Sequence, residues 1–320
     1  MKVLCAGLIV CDVLAKPISK EVLEADTSNA DYIVLRGGGD AFNVAVNLTS
    51  LGVDASLAGR IGEDDLGDWL KRHTETYGVD IKFLKKVAMP SSVTLVLIGK
   101  EGDRNLVSYR GACHSFVEED LPDSSFKDYD IFYLGSAFDL PKLDGQGMTR
   151  LFERVKKAGL KIFLDTTKDL TPGDFETLSP ALSYVDIFMP SENEARGLTG
   201  YTDMEKAADF FHRYGPKIVV IKMGSKGCLV SMEGEKESFP AYKADIVDTT
   251  GAGDAFVSGF IAAYVKGYAI ADCARIANAA GAICVGQIGA SGMLPSFGDL
   301  LKGKIQGDGS SEDGQWGRVP

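Results

Sequence analysis

Two kinds of segment alternate along the first two-thirds of the chain. Short continuous apolar runs at 2–10, 55–58, 131–134, 161–164, 185–189, 218–221 and 228–231 suit strands, most of them buried on both faces. Between them, stretches with one apolar face or many small residues suit helices at 40–51, 65–77, 145–158, 191–199 and 203–214. Two further small-residue helices are expected, one starting near 252 and one at 269–285. Strands that alternate with helices predict an α/β fold, a doubly wound and mainly parallel sheet.

Two segments break this alternation, at about 12–36 and 81–110. The runs 83–87, 93–98 and 105–109 are β-branched or apolar, and turn-forming residues around Pro90 and between Gly99 and Asp103 divide them. Both segments are expected to leave the main sheet and form a small β lid. The expected organisation is one domain over 1–302 and a flexible tail at 303–320, rich in Gly, Ser, Asp and Glu.

Composition narrows the function classes. A net charge of −11 excludes nucleic acid as the main partner, because phosphate backbones need a basic face. No apolar run is long enough to span a bilayer, so no membrane role is expected. The six cysteines are scattered without a CxxC pair and the three histidines are not clustered. That pattern predicts neither zinc site nor disulfide framework, and a reducing, cytoplasmic setting.

The candidate chemistry centres on Asp248-Thr249-Thr250-Gly251-Ala252-Gly253-Asp254, placed between a strand-like run at 242–247 and the helix near 252. A glycine-rich turn that opens a helix presents unpaired N–H groups and the positive end of the helix dipole, an anion site. Asp254 lies in the first helical turn. There it is either a plain dipole partner or, beside a phosphate, a base for an attacking hydroxyl. Gly37-Gly38-Gly39-Asp40-Ala41-Phe42 repeats that chemistry, and Asn43 follows with an amide suited to sugar hydroxyls. Ser191 and Glu194 read as a capping box, or as a glutamate that orients water on Mg²⁺. Lys222 to Gly227 is a hairpin turn or a nucleotide loop. Arg110 is a solvated edge charge or a contact for an anionic or polyhydroxy substrate. There is no GxxxxGK[ST] P-loop, and Phe256 interrupts a dinucleotide fingerprint.

Together these motifs resemble the ribokinase-like (PfkB) carbohydrate kinases over about residues 1–300. Asp248 to Phe256 resembles the C-terminal signature of that family. Gly38-Gly39 with Asn43, Leu51-Gly52 and the stretch from Gly59 to Gly67 resemble the N-terminal one. The resemblance implies an ATP-dependent sugar kinase. Asp254 would be the base, and the backbone of Gly251, Ala252 and Gly253 the anion hole. Asp12, Gly38, Gly39 and Asn43 would hold the sugar, with Asp40 and Arg110 near the acceptor. Glu194 would act on Mg²⁺ through water, with Ser191 standing where the family has Asn. Lys222, Gly224, Ser225 and Gly227 match the nucleotide loop, and Asn278 a residue near the adenine. Asp248, Thr250 and Ser291 resemble a monovalent-cation (K⁺) site.

Asp40 stands where ribokinases proper carry a lysine. That reversal of charge disfavours a phosphosugar. It leaves fructose-like and other unphosphorylated sugars, or 2-keto-3-deoxygluconate with its carboxylate at Arg110. The implied partners are a small-molecule sugar and a second copy of the chain paired through the lid. A nucleoside kinase, a non-catalytic sugar- or nucleotide-sensing protein and a dehydrogenase are the competing readings.

Overall fold

A computed structural model describes residues 1–100, 104–167, 170–287 and 294–305. The strands are β1 (Val3–Ala6), β2 (Val10–Lys16), β3 (Tyr32–Gly38), β4 (Ala55–Gly62), β5 (Asp80–Val87), β6 (Val93–Ile98), β7 (Arg104–Tyr109), β8 (Ile131–Ala137), β9 (Lys161–Thr166), β10 (Ile187–Phe188), β11 (Ile218–Lys222), β12 (Cys228–Met232) and β13 (Glu235–Phe239). The helices are α1 (Asp40–Ser50), α2 (Asp65–Thr76), α3 (Gln146–Lys157), α4 (Asp174–Leu182), α5 (Glu192–Thr199), α6 (Met204–His212), α7 (Ala252–Val265), α8 (Ile270–Val285) and α9 (Phe297–Ile305).

The continuous apolar runs earn their burial in a nine-stranded sheet ordered β13-β12-β11-β10-β9-β8-β1-β4-β5. It is parallel from β11 to β5, and β12 and β13 close it antiparallel. β1 pairs with β4 on one side and β8 on the other, and all its side chains are buried. The chain order runs outward in opposite directions from β1, through β4 and β5 one way and through β8 to β11 the other. In open α/β sheets such a switch point is where a crevice forms at the carboxyl ends of the strands.

A second sheet, ordered β3-β2-β6-β7, forms the lid. Its register puts Lys16, Tyr32, Val96, Ile98 and Arg104 on one face, and that face lies against Val247, Asp248 and Thr250. The lid is smaller than the sequence pattern predicts. The run 83–87 belongs to β5, which pairs in parallel with β4 in the large sheet, and its Phe83 and Leu84 pack on the main core. An edge strand buried on one face alternates in the same way as a lid strand, so the pattern alone does not separate them. The run 242–247 is not a strand either. Its end is held by Val247 and Asp248 N–H groups donating to the Val285 carbonyl, and Ile246 and Val247 are exposed. Helix α4, with Pro180 inside it, had no counterpart among the predicted helices.

Small residues let the two central helices approach closely. A Cβ on Gly259 of α7 would stand 2.8 Å from the Ala280 Cβ of α8. α1 packs against α7 as well, so their N-termini converge at the switch point. Each starts from a glycine with positive φ, Gly39 at 90° and Gly251 at 73°. A Cβ on Gly39 would lie 2.4 Å from the Leu8 carbonyl oxygen. Gly39→Ala therefore combines left-handed strain with a backbone clash, and should cost about 3 kcal/mol or more in a denaturant melt. Gly159→Ala, at φ 89° with open space around it, should cost only about 1–2 kcal/mol.

Candidate active site

The two glycine turns meet through one hydrogen bond. Asn43 Nδ2 in α1 donates to Asp254 Oδ2 in α7 at 2.7 Å, across 211 residues of sequence. A carboxylate only accepts, so it fixes which way the amide faces. The other amide atom, Asn43 Oδ1, is buried without a hydrogen-bond partner. Leaving such an acceptor unpaired costs about 1–3 kcal/mol, which a donor arriving from solution would recover. Burial pushes the Asp254 carboxyl well above the usual carboxylate range; Asp40 and Asp165 add to this, while Asn43 and Lys222 oppose it.

Asp254 lines a cleft of about 300 Å³ together with Asp40, Asp165, Thr166, Thr167, Ser191, Glu194, Lys222, Gly224 and Gly253. Lys222 at the end of β11 pairs with Asp165 at the end of β9, Nζ to Oδ2 at 2.5 Å. The same ammonium would be 3.8 Å from a Cβ on Gly253, so it stands beside the first turn of α7. Burial works against its charge, but Asp165, Glu194 and Asp254 outweigh that and hold it above the usual lysine range. First-turn N–H groups of α7 have no acceptor within the helix. That of Ala252 turns back to the Thr249 carbonyl at 3.3 Å, which leaves those of Gly253 and Asp254 as helix-end donors.

Glu194 completes the capping box read from its sequence context and also faces the cleft. Its Oε2 accepts from the Ser191 N–H at 2.6 Å while Ser191 Oγ accepts from the Glu194 N–H at 3.2 Å, a complete capping box. Thr166 Oγ1 donates to the same Oε2 at 3.1 Å, and the residue lines the cleft. Among the described residues no three side chains are grouped as metal ligands.

On the lid side, Asp12 of β2 sits over Gly38. A Cβ there would come 2.0 Å from Asp12 Oδ2, so the glycine makes room for the carboxylate. Burial pushes Asp12 up to about 7, with Arg110 opposing, Asp40 adding and Thr94 opposing. Asp40 is raised too, first by burial, although Ser136 Oγ donates to it at 2.6 Å.

Several sequence expectations change here. Arg110 does not wait for a substrate carboxylate: its Nε pairs with Asp139 Oδ2 at 2.8 Å, and His114 Nε2 lies 3.2 Å from the other oxygen. Asp248 Oδ1 already meets a cation, Arg104 Nη1 at 3.3 Å, and accepts from Thr250 N at 2.9 Å and Thr250 Oγ1 at 2.6 Å. That contact ties lid strand β7 to the anion turn. Ser291 lies outside the described residues. Asn278 is buried, and its amide donates to the Phe239 and Pro240 carbonyls, so it fastens the loop after β13. Gly227 has a packing role, since a Cβ there would be 1.9 Å from the Phe239 carbonyl oxygen. Gly224 and Ser225 lie in an exposed 3₁₀ turn at the cleft edge, where a Cβ on Gly224 meets nothing. Asp165, Thr166, Ser136 and Asp139 were missed. Asp165 carried the same signal as Asp12, an aspartate closing an apolar run.

The whole of this framework has relatives. Residues 1–296 match the model of the pfkB family carbohydrate kinases. The chain is 30% identical over 287 residues to aminoimidazole riboside kinase of Salmonella typhimurium, covering 84% of this chain and 88% of that one. It is 30% identical over 255 residues to the ATP-dependent ribose-1-phosphate kinase of Halopiger xanaduensis, with 79% and 82% covered. Among solved structures, Arabidopsis thaliana ribokinase complexed with ribose and ATP superposes with a TM-score of 0.79 at 26% identity, over 94% of this chain and 97% of that one. An E. coli protein solved with ATP and Mg²⁺ gives 0.82 at 25% identity, over 95% and 99%. With both family signatures meeting at one cleft, the chain belongs to the pfkB family of carbohydrate kinases, phosphotransferases that act on a hydroxyl group.

Proposed function

We propose that this kinase transfers the γ-phosphoryl of ATP to a hydroxyl of an unphosphorylated sugar, with Asp254 as the base. The Asn43–Asp254 bond carries this reading, because it sets a buried unpaired acceptor beside a carboxylate of raised proton affinity. A sugar bound there finds Asn43 Oδ1 as acceptor for one hydroxyl and Asp254 as the proton acceptor for the next. The hydroxyl oxygen bonds to phosphorus as its proton passes to Asp254, and the bond from the γ-phosphorus to the oxygen of the departing ADP breaks. Phosphoryl transfer asks for positioning and charge stabilisation, which Lys222 and the α7 N-terminus supply.

ATP fits the open turn at Gly224 and the cleft beside it, and relatives solved with ATP support it. Mg²⁺ fits as an ion held chiefly by nucleotide phosphates. Carboxylates line the cleft, yet no three are grouped as a dedicated cage among the described residues. When bound, the ion neutralises charge on the transferring phosphate; Glu194, fixed by Ser191 and Thr166, would hold water toward it.

The acceptor side favours a neutral sugar. Asp12, Asp40 and Asp254 converge there, and the nearby Arg110 is already neutralised by Asp139. A phosphosugar, or 2-keto-3-deoxygluconate, would bring an anion in among those carboxyl groups, where Arg110 is already paired. The outer face of the lid carries exposed Ile33, Leu95, Val107 and Tyr109, which share one side of the sheet by register. That apolar face supports a homodimer through the lid.

Asp254→Asn should lower kcat by about 10²–10⁴-fold while ATP binding by calorimetry stays near wild type. Retention of most of the turnover would refute the base. The wild-type kcat/KM profile should fall on its acid side at a pH well above the ordinary carboxylate range, since the base must be unprotonated. Val107→Lys should shift the protein to monomer in size-exclusion chromatography with light scattering.

Asp12 also sets a stability test. Its carboxyl holds its proton up to about 7 in the fold against 3.8 for the ordinary group. The folded state therefore keeps the proton longer, so this stabilisation is complete below pH 3.8 and is lost as pH rises to about 7. Asp12→Asn removes that loss. Above pH 7 it should be more stable than wild type by on the order of 2 kcal/mol in ligand-free melts, with the difference vanishing near pH 4.

A further inference from the structure

We propose that Asp165 is a positioning residue for phosphoryl transfer: it anchors the Lys222 ammonium beside the first turn of α7 and keeps it off the base. This inference rests on the reading of Asp254 and Lys222 above. Asp165 lies in neither signature quoted above, and its pairing with Lys222 is visible only in the fold.

Three observations carry it. The pair is buried, Asp165 6% and Lys222 13% exposed at the side chain, in contact at 2.5 Å, and both residues line the cleft that holds Asp254. A buried ion pair contributes little net stability against an apolar replacement, so stability does not account for it. Second, the Lys222 ammonium is within 3.8 Å of where a Gly253 Cβ would be, the point at which helix-end donors gather. Among the described residues that line the cleft, Lys222 alone is cationic.

Third, Lys222 has other carboxylates to choose from. Asp165 on β9, Glu194 on α5, Asp254 on α7 and Asp40 on α1 all act on it. A lysine is a point charge on a flexible four-carbon stem. Without Asp165 it would settle on the remaining carboxylates, and on Asp254 it would lower the proton affinity that a base needs. Glu194 Oε2 is already used by Ser191 and Thr166, which leaves Asp165 as the anchor that costs the reaction nothing.

The test is a double-mutant cycle with a pH profile. Asp165→Asn should lower kcat about 30- to 100-fold with KM for sugar and ATP changed less than about threefold. The alkaline limb of its kcat profile should move to lower pH, because Lys222 has lost a carboxylate that holds its proton. Asp165→Glu should restore part of kcat and return the limb toward wild type. In a Lys222→Met background, Asp165→Asn should cost less than about threefold more. Wild-type kcat in Asp165→Asn, an unmoved alkaline limb, or effects that multiply in the double variant would each overturn the proposal. Where Asp165→Asn does not fold, Lys222→Met carries the test: it removes the anchored ammonium, and wild-type kcat with the alkaline limb unmoved overturns the role. Asp254→Asn separates the two readings. Loss of turnover there, with Asp165→Asn unaffected, refutes the anchor and leaves the base in place.

Discussion

The hydrogen bond between Asn43 and Asp254 is the constraint around which the rest of this kinase is arranged. It requires the first turns of two helices, far apart in sequence, to face each other within hydrogen-bond reach. That in turn requires α1 and α7 to pack side by side. The glycines at 39 and 251 let the chain leave those strands in a left-handed conformation and enter each helix. The closely approaching small residues of α7 and α8 set the depth of the second helix. Each feature is a packing matter, yet together they fix where one carboxylate points.

The second constraint is electrostatic. Asp12, Asp40, Asp165 and Asp254 crowd the carboxyl end of the sheet, where burial raises the cost of every charge. Among the described residues, Arg110 and Lys222 answer them, and both are committed. Arg110 is held by Asp139, and Lys222 by Asp165. In the reading proposed above, the phosphate side is positive through Lys222 and a helix N-terminus, and the acceptor side is lined by carboxyl groups. Such a division suits a reaction in which a nucleotide delivers the charge and the acceptor brings none.

What the sequence made legible follows from locality. The glycine turns at 37–39 and 251–253 were readable because their chemistry is complete within a few residues. The capping box at Ser191 and Glu194 was readable for the same reason, and both of its bonds are present. The misses are non-local. Run 83–87 looked like a lid strand because alternation says which face is buried and not which sheet receives it. Run 242–247 has strand-forming residues but no partner strand, and no local pattern reports a partner. Lys222 was placed with the nucleotide loop that follows it in sequence. In space it stands beside Gly253, since β11 ends next to α7. The internal partners of Asn278 and Arg110, the Phe239 carbonyl and Asp139, were not legible for the same reason.

The central claim is that an acidic acceptor pocket hands a neutral sugar hydroxyl to Asp254. It is tested most directly by following phosphorylated product with ³¹P NMR for wild-type enzyme with ATP and Mg²⁺ across a panel of acceptors. The panel pairs neutral ketoses, aldoses and nucleosides with sugar phosphates and 2-keto-3-deoxy sugar acids. The account predicts a new phosphomonoester signal, matched by ADP, with one or more neutral sugars and none with the anionic acceptors. Efficient phosphorylation of a sugar phosphate or sugar acid, with the neutral sugars inert, would contradict it.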